Sequence, residues 1–516
     1  SFAFDEYYRT ENGFRPNNDL QDFSFNAKFK QQLAQQDSVF FETALDTFHS
    51  GDVRQYYDQS QASRTLRVTE TQDPNLYLGY HREWAPGIHT LVLAGRLEDK
   101  LTLTDPMSLT HLVTTTPGGT VTGIVTPPLP FSITSELVAY TAELQQIFQT
   151  DSQTLILGGR YQTGDLNNNS SLTDPLQLVP PAFTPLGINQ TVSPSLNRAN
   201  AYGYYSYQVA KPLLLTAGLS YDHLEYPRND ELAPVTSEQQ SKDQISPKAG
   251  FRWTPFEKTT FRGAWTRSLG GVFYDTSVRL EPTEIAGFNQ AFRSILPESV
   301  AGLVPGSRFE TFDLAYDQEL PTRTYISVQA ELLKSSGSQG QGFLTHSGPF
   351  ATLTAQLDDR FDYSDESLSI IINQLLSDEF AVGMTYRVDV ATLTDQVPGI
   401  PVGPLSAAYS PSANLTVRGT LHQAHFYALF NHPCGFFSKV EAVWYGQSNT
   451  GYAVNLPGDD FMLVNAFAGY RLPRRHAEFQ LGVLNIGDRD YKLNPINLYS
   501  EMPRERTLVA EVKFNF

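Results

Sequence analysis

Four side chains able to bind a transition metal lie close together in the sequence: His422, His425, His432 and Cys434. Histidine and cysteine supply the nitrogen and sulfur donors that zinc prefers. Their spacing works against a shared ion. A separation of three along an extended strand puts His422 and His425 on opposite faces, and Asn431–Gly435 reads as a turn. Asp165, Asn167 and Asn169 have the spacing that opens a calcium loop. The glycine at its sixth position and the glutamate at its twelfth are missing, so a polar surface loop is expected there. Gly337, Gly340 and Gly342 are spaced like a phosphate-binding loop but lack its strand-to-helix setting; a flexible loop is expected. No nucleophile–histidine–acid set has a defensible geometry. The sequence thus predicts no catalytic residue, no cofactor, no metal site and no enzyme.

The charges with a clear pattern sit inside alternating segments. In 244–254, Ile245, Pro247, Ala249, Phe251 and Trp253 share one face, and Lys248 and Arg252 share the other. In 379–391, Phe380, Val382, Met384, Tyr386, Val388 and Val390 oppose Thr385, Arg387 and Asp389. In 475–486, Ala477, Phe479, Leu481 and Val483 oppose His476, Glu478 and Gln480. A charge on a lipid-facing position costs about 2–4 kcal/mol at mid-bilayer. Lys248, Arg252, Asp313, Asp317, Arg387, Asp389 and Glu478 are therefore the expected lining of a polar interior, with the apolar faces turned to lipid.

The elements that must hold these residues are strands. Reading for alternation gives about twenty segments: 1–10, 20–34, 37–49, 62–84, 87–99, 131–148, 152–164, 198–210, 212–225, 244–254, 258–268, 309–319, 322–336, 363–376, 379–391, 414–430, 435–447, 460–471, 475–486 and 506–516. Segments 37–49 and 131–148 alternate poorly. Short turns fall at Ala34–Asp37, Trp84–Gly87, Gln149–Ser152, Ala210–Pro212, Thr254–Lys258, Glu319–Thr322, Ser377–Glu379, Asn431–Gly435 and Leu472–Arg475. Longer loops lie between them, at 11–19, 50–61, 100–130, 165–197, 226–243, 269–308, 337–362, 392–413, 448–459 and 487–505. Short and long connections alternate, as in a membrane barrel with tight periplasmic turns and longer outer loops. The expected fold is all-β: a transmembrane antiparallel up-and-down β-barrel of about 20–22 strands. The first and last strands run antiparallel, so the sheet can close, and both termini fall on the periplasmic side. In the longest loop, Ile285, Phe288, Phe292 and Ile295 have helical spacing. That stretch is expected either to fold inward and narrow the pore or to pack on the loop's own surface.

Composition agrees. Among 516 residues, 12% are aromatic and 18% charged. No stretch approaches the ~18 apolar residues of a membrane helix. The mean hydropathy of -0.30 suits a barrel, in which only every second strand residue meets lipid. The net charge of -18 argues against nucleic acid, whose phosphates select basic surfaces. Acidic loops beside anionic lipopolysaccharide would need divalent ions between them. Cys434 is the only cysteine, which excludes an internal disulfide.

The last segment ends Leu508, Ala510, Val512, Phe514 and Phe516 on one face. A terminal phenylalanine closing such a strand resembles the assembly signal of outer-membrane barrels. Val512, Phe514 and Phe516 are its expected residues, and the barrel-assembly machinery its reader. The stretch 246–270, from Ser-Pro-Lys-Ala-Gly-Phe-Arg-Trp to Ala-Trp-Thr-Arg-Ser-Leu-Gly, resembles a barrel hairpin of TonB-dependent receptors. So does Leu484-Asn485-Ile486-Gly487-Asp488-Arg489-Asp490-Tyr491 before the last strand. The resemblance implies a single outer-membrane domain over 1–516. Strands begin at residue 1, so no plug domain is expected within this chain. Tyr7 to Leu20, with Gly13-Phe14-Arg15-Pro16-Asn17-Asn18-Asp19, is similar to receptor-like barrels that follow a periplasmic tetratricopeptide region, which makes such a region, or partner subunits, an expected partner. Two functions are consistent with these features. One is a passage for a solute or polymer, as in a porin or transporter. The other is an anchor or scaffold for a larger periplasmic or surface assembly.

Overall fold

A computed structural model of the chain describes every residue except 117–119, 179–186, 232, 273–277, 293–295, 303, 348–349, 474–475 and 515–516. The alternating segments become strands. In order these are β1 (Phe2–Glu11), β2 (Leu20–Gln32), β3 (Asp37–Ser50), β4 (Arg67–Ala85), β5 (Ile88–Leu109), β6 (Leu112–Thr115), β7 (Val121–Val125), β8 (Pro128–Gln149), β9 (Gln153–Thr173), β10 (Gly187–Val192), β11 (Ser195–Ala210), β12 (Leu213–Pro227) and β13 (Gln239–Phe256). They continue with β14 (Thr259–Leu269), β15 (Glu284–Ile285), β16 (Phe288–Asn289), β17 (Arg308–Leu320), β18 (Thr324–Ser347), β19 (Phe350–Leu375), β20 (Phe380–Gln396), β21 (Leu415–Asn431), β22 (Phe436–Thr450), β23 (Asp460–Arg471), β24 (Ala477–Leu484) and β25 (Thr507–Phe514). Two short helices, α1 (Glu298–Ala301) and α2 (Pro404–Tyr409), lie in long connections.

One sheet holds 23 of the strands, and β15–β16 form a separate hairpin. Within the sheet β6, β7 and β10 are short additions to one rim. The other twenty make the wall, each paired antiparallel with the next. This is the expected up-and-down arrangement. Pairing is continuous from β1 to β25. The expected closing pair is not seen: among the described residues nothing joins β25 back to β1, and β1 is exposed along its length.

The wall explains its own turns. Eight of the nine tight connections occur where expected; the ninth, Leu472–Arg475, lies partly outside the described residues, between β23 and β24. Phe2 and Phe514 lie at that same end of the sheet, paired with Phe29 and Ala477. Gly87, at φ 79°, turns the chain between β4 and β5. A Cβ there would stand 2.1 Å from the Gln149 carbonyl oxygen, so the turn requires glycine. On the outer face the exposed large apolar side chains recur every second residue: Ile245 and Trp253 in β13, Phe312 and Leu314 in β17, Phe479 and Leu481 in β24.

The long end departs from expectation because much of what read as loop is strand: β5 runs on to Leu109, β13 begins at Gln239, β20 runs on to Gln396, and β6, β7 and β10 fall within 100–130 and 165–197. Residues 165–173, read as loop, extend β9. Asn167 and Asn169 there accept hydrogen bonds from Ser193 and Thr191 across the rim. Residues 337–347 and 350–362, also read as loop, continue β18 and β19 as one long ribbon. Its glycines serve close approach. A Cβ on Gly342 would lie 2.0 Å from the Pro234 oxygen, and one on Gly340 2.9 Å from the Arg228 oxygen, so connection 228–238 lies directly on the strand. Finally, β8 alternates poorly because its inner face is apolar too. Leu137 and Ala139 join Leu97, Leu166, Leu224 and Val272 in a buried cluster beneath an infolded connection.

Candidate functional site

The inner face is the candidate site, and its best-defined point is Lys248. The β13 alternation turns Lys248 away from Ile245 and Trp253 and into the interior. Its ammonium donates to Tyr204 Oη at 2.9 Å and Ser220 Oγ at 3.0 Å, and meets Glu281 Oε1 at 3.3 Å. Both ends of this ion pair are sealed from solvent. Glu281 belongs to the longest connection, 270–307, which therefore folds back against the inner wall.

A second carboxylate holds the same segment. Glu143 of β8 accepts the backbone N–H groups of Leu280 and Glu281 at 2.9 and 3.0 Å, and the Tyr202 hydroxyl at 2.7 Å. Gln145 donates to the Leu280 carbonyl at 2.6 Å. The chain then makes the β15–β16 hairpin, in which Ile285 and Phe288 are buried against Tyr202, Tyr204, Ala264 and Ala315. Gly250 leaves room for it: a Cβ there would meet Ile285 at 2.6 Å. The inward expectation for this loop is met by these contacts, but residues 284–289 form a hairpin where helical spacing was read, and among the described residues of 281–304 helix is confined to Glu298–Ala301. Ala286 and Gly287 both have positive φ and turn a hairpin, which brings residues i and i+3 face to face. Ile295 lies outside the described residues.

The other expected lining residues take the same face but gather in separate places. Arg252 stands opposite Arg262 across strands, and both line a recess with Glu284 and Asp317 below the hairpin. Asp317 accepts from Arg262 at 3.1 Å and from Ser327 at 2.7 Å. Asp313 is buried opposite Glu331. Arg387 pairs with Asp389 at 2.8 Å, and Asn497 donates to the other Asp389 oxygen at 2.7 Å. Glu478 accepts from Arg471 at 2.7 Å, near the short-turn end. Val512 and Phe514 are exposed on one face of β25; Phe516 lies outside the described residues. His422 and His425 point to opposite faces, toward Tyr386 and Glu441 respectively. Glu143, Glu281, Tyr202 and Tyr204 were not singled out in the sequence. The tyrosines at alternate positions of β11 were the available sign of an inner aromatic face.

At the long end, separate connections interlock. The Gln55 N–H donates to Ser299 Oγ at 2.7 Å and its side chain to the Tyr499 carbonyl at 3.2 Å. Tyr57 donates to the Pro457 carbonyl at 2.5 Å. Asp52 organises its own loop by accepting from Tyr56 at 2.6 Å and the Ser63 N–H at 2.8 Å. Burial pushes the Asp52 carboxyl up. The adjacent Arg54 charge and the hydrogen bonds from Arg54, Tyr56 and Ser63 outweigh it and hold the group below its ordinary range. The last connection also runs inward. Tyr491 stacks on Phe461 at 4.5 Å, Phe461 on Tyr445 at 5.2 Å, and Arg504 covers Tyr491 at 4.2 Å.

A family model described as TonB dependent receptor-like, beta-barrel, matches residues 2–296, more than half of the 516. The chain belongs to that family. Solved receptor-type structures share its fold. The ferric yersiniabactin uptake receptor FyuA from Yersinia pestis superposes with a TM-score of 0.64 at 10% identity, covering 100% of this chain and 75% of FyuA. The copper transporter OprC gives 0.61 at 11%, covering 100% and 76%. The unliganded ferric citrate transporter FecA gives 0.60 at 12%, covering 98% and 72%. No curated protein matches by sequence. The receptor barrel is thus an outer-membrane protein of Gram-negative type in a transport family. In this receptor barrel the chain's own loops occupy part of the interior and cross its long-loop mouth.

Proposed function

We propose that the chain forms the wall of an outer-membrane passage for a solute or polymer, held shut at rest by its own connections. The observation that carries this reading is the hairpin 280–290, fixed to the inner wall through Lys248, Glu143 and Gln145. The polar residues Lys248, Arg252, Asp313, Asp317, Arg387, Asp389 and Glu478 then act as lumen lining. The names of FyuA, OprC and FecA, a ferric-chelate receptor, a copper transporter and a ferric-citrate transporter, favour a solute over a polymer. In this reading residues 1–516 act as one barrel domain, and the short turns and both termini face the periplasm. The segment Val512, Phe514 and Phe516 is read by the barrel-assembly machinery. Lipid and lipopolysaccharide surround the wall, and a tetratricopeptide region supplies a periplasmic partner.

The interlocked mouth also suits the second reading, a closed barrel that anchors a larger assembly. Planar bilayers separate the two. Purified chain should conduct weakly, and replacing 282–291 by a short Gly-Ser linker should raise single-channel conductance. Silence of both proteins at all voltages would reject the passage and favour the anchor.

A further inference from the structure

His81 and His89 meet on the inner face of the β4–β5 hairpin, and the closure by 280–290 makes no use of them. Strand alternation puts them there. Leu78, Tyr80 and Val92 are exposed on the outer face, and the two histidines fall on the other. In register His81 stands opposite Leu91 and His89 opposite Glu83, so the imidazoles are diagonal neighbours. His81 Nε2 lies 3.0 Å from His89 Nδ1, and the rings stack at 25° with centroids 5.2 Å apart. The tight turn at Gly87 fixes the two strands that carry them. Both residues are half-buried. On the neighbouring strand β8, Ile147 is opposite His89, and Gln145, which anchors the 280–290 hairpin, is opposite Leu91. The pair therefore lies between that anchor and the short turns.

Two imidazole nitrogens this close share either a hydrogen bond or a metal ion. The hydrogen bond uses one N–H and one lone pair; a metal uses both lone pairs. At metal–nitrogen distances of about 2.0–2.1 Å, a nitrogen separation of 3.0 Å subtends about 95° at the metal. A tetrahedral ion opens that angle to about 109° and needs the nitrogens about 3.3 Å apart. A right-angle edge is the geometry of tetragonal nickel(II) and copper(II). The rings need only swing until both lone pairs aim at one point; their separation stays the same. Charge does not oppose a cation here. Lys30 and Glu83, of opposite sign, both act on His81, and Asp37 is already paired with Arg82. Among the described residues no third histidine, cysteine or carboxylate completes a ligand set, so water fills the remaining positions.

We propose that His81 and His89 form a two-histidine site for a tetragonal divalent metal ion, nickel(II) or copper(II), on the inner wall near the short turns. The site stands whether the barrel is a passage or an anchor. Neither histidine is marked in the sequence, because their meeting depends on strand register across a turn.

The test is isothermal titration calorimetry of the untagged full chain in detergent, with nickel chloride or zinc chloride as the only added ligand. One equivalent of nickel should bind, more tightly than zinc. His81→Gln and His89→Gln should each lose that equivalent. His432→Gln, at the exposed turn beside Cys434, should keep it. Nickel should also raise the urea midpoint of the wild type and leave both of the first two variants unmoved, since an ion that binds only the folded state stabilises it. Heat-modifiable migration on gels checks that each variant is folded. Equal nickel binding by the wild type and either the His81 or the His89 variant, or loss of the equivalent in His432→Gln, would overturn the proposal. Zinc held more tightly than nickel would overturn the right-angle geometry.

Discussion

Lys248 Nζ lies 3.3 Å from Glu281 Oε1, and the pair joins a wall strand to a connection that starts at the barrel mouth. Breaking a buried pair from one side leaves an uncompensated charge, at about 3–5 kcal/mol. Lys248→Met should therefore lower the urea midpoint of the folded barrel and speed protease cleavage between 282 and 291. Lys248→Met with Glu281→Met should recover part of the midpoint. A single variant with wild-type midpoint and cleavage would show that the pair does not hold the hairpin.

Glu143 is expected to matter as an acceptor. Glu143→Leu strands two backbone N–H groups and a tyrosine hydroxyl, each costing about 1–3 kcal/mol when left unsatisfied in a buried site. The variant should conduct more than wild type in planar bilayers. Glu143→Gln keeps one acceptor oxygen and should fall between the two. Identical conductance of all three proteins would remove Glu143 from the closure.

Acid should loosen the mouth through Asp52. Its folded-state carboxyl titrates below its unfolded value, so its stabilising effect is complete above the unfolded value near 4 and is lost as pH falls through the lower folded one. Proteolysis of 51–66 by an acid-active protease should accelerate below about pH 4. In Asp52→Asn this loop should be cleaved readily at neutral pH and change little on acidification. A wild-type loop whose cleavage is flat across that range contradicts the assignment.

Deleting Phe516 should lower the fraction of heat-modifiable, folded barrel in the outer membrane, with Phe514→Ala acting in the same direction. An unchanged folded fraction in both would separate the terminal strand from assembly.

The wall was legible because a strand has a strict period of two and lipid enforces it on one face. Ile245 to Trp253 against Lys248 and Arg252 is enough to orient β13. The tight turns were legible for the same reason, since alternation stops where the chain reverses. The infolded connections were not. Their anchors are carboxylates and tyrosines spread over β8, β11 and β13, and nothing local marks Glu143 as the partner of residue 281. Spacing also misled at Ile285 and Phe288, because an i, i+3 apolar pair fits a helix turn and a tight hairpin equally. The glycines at 337, 340 and 342 read as flexible; Gly340 and Gly342 instead let another backbone lie against a strand, and Gly337 makes room for the side chains of Val304 and Ser307.

The ribbon of β18 and β19 has 24 and 26 residues, where about 9–11 suffice to cross a bilayer. At ~3.3 Å per residue its surplus corresponds to tens of ångströms along the strands. In the proposed orientation it rises beyond the lipid, with β6 and the connection after β12 laid against it. A phage tail, an antibody or a toxin diffusing onto the cell would meet this raised rim, so sequence change forced by such predators should concentrate in 337–347 and 350–362 while the membrane-crossing part of the wall stays constant.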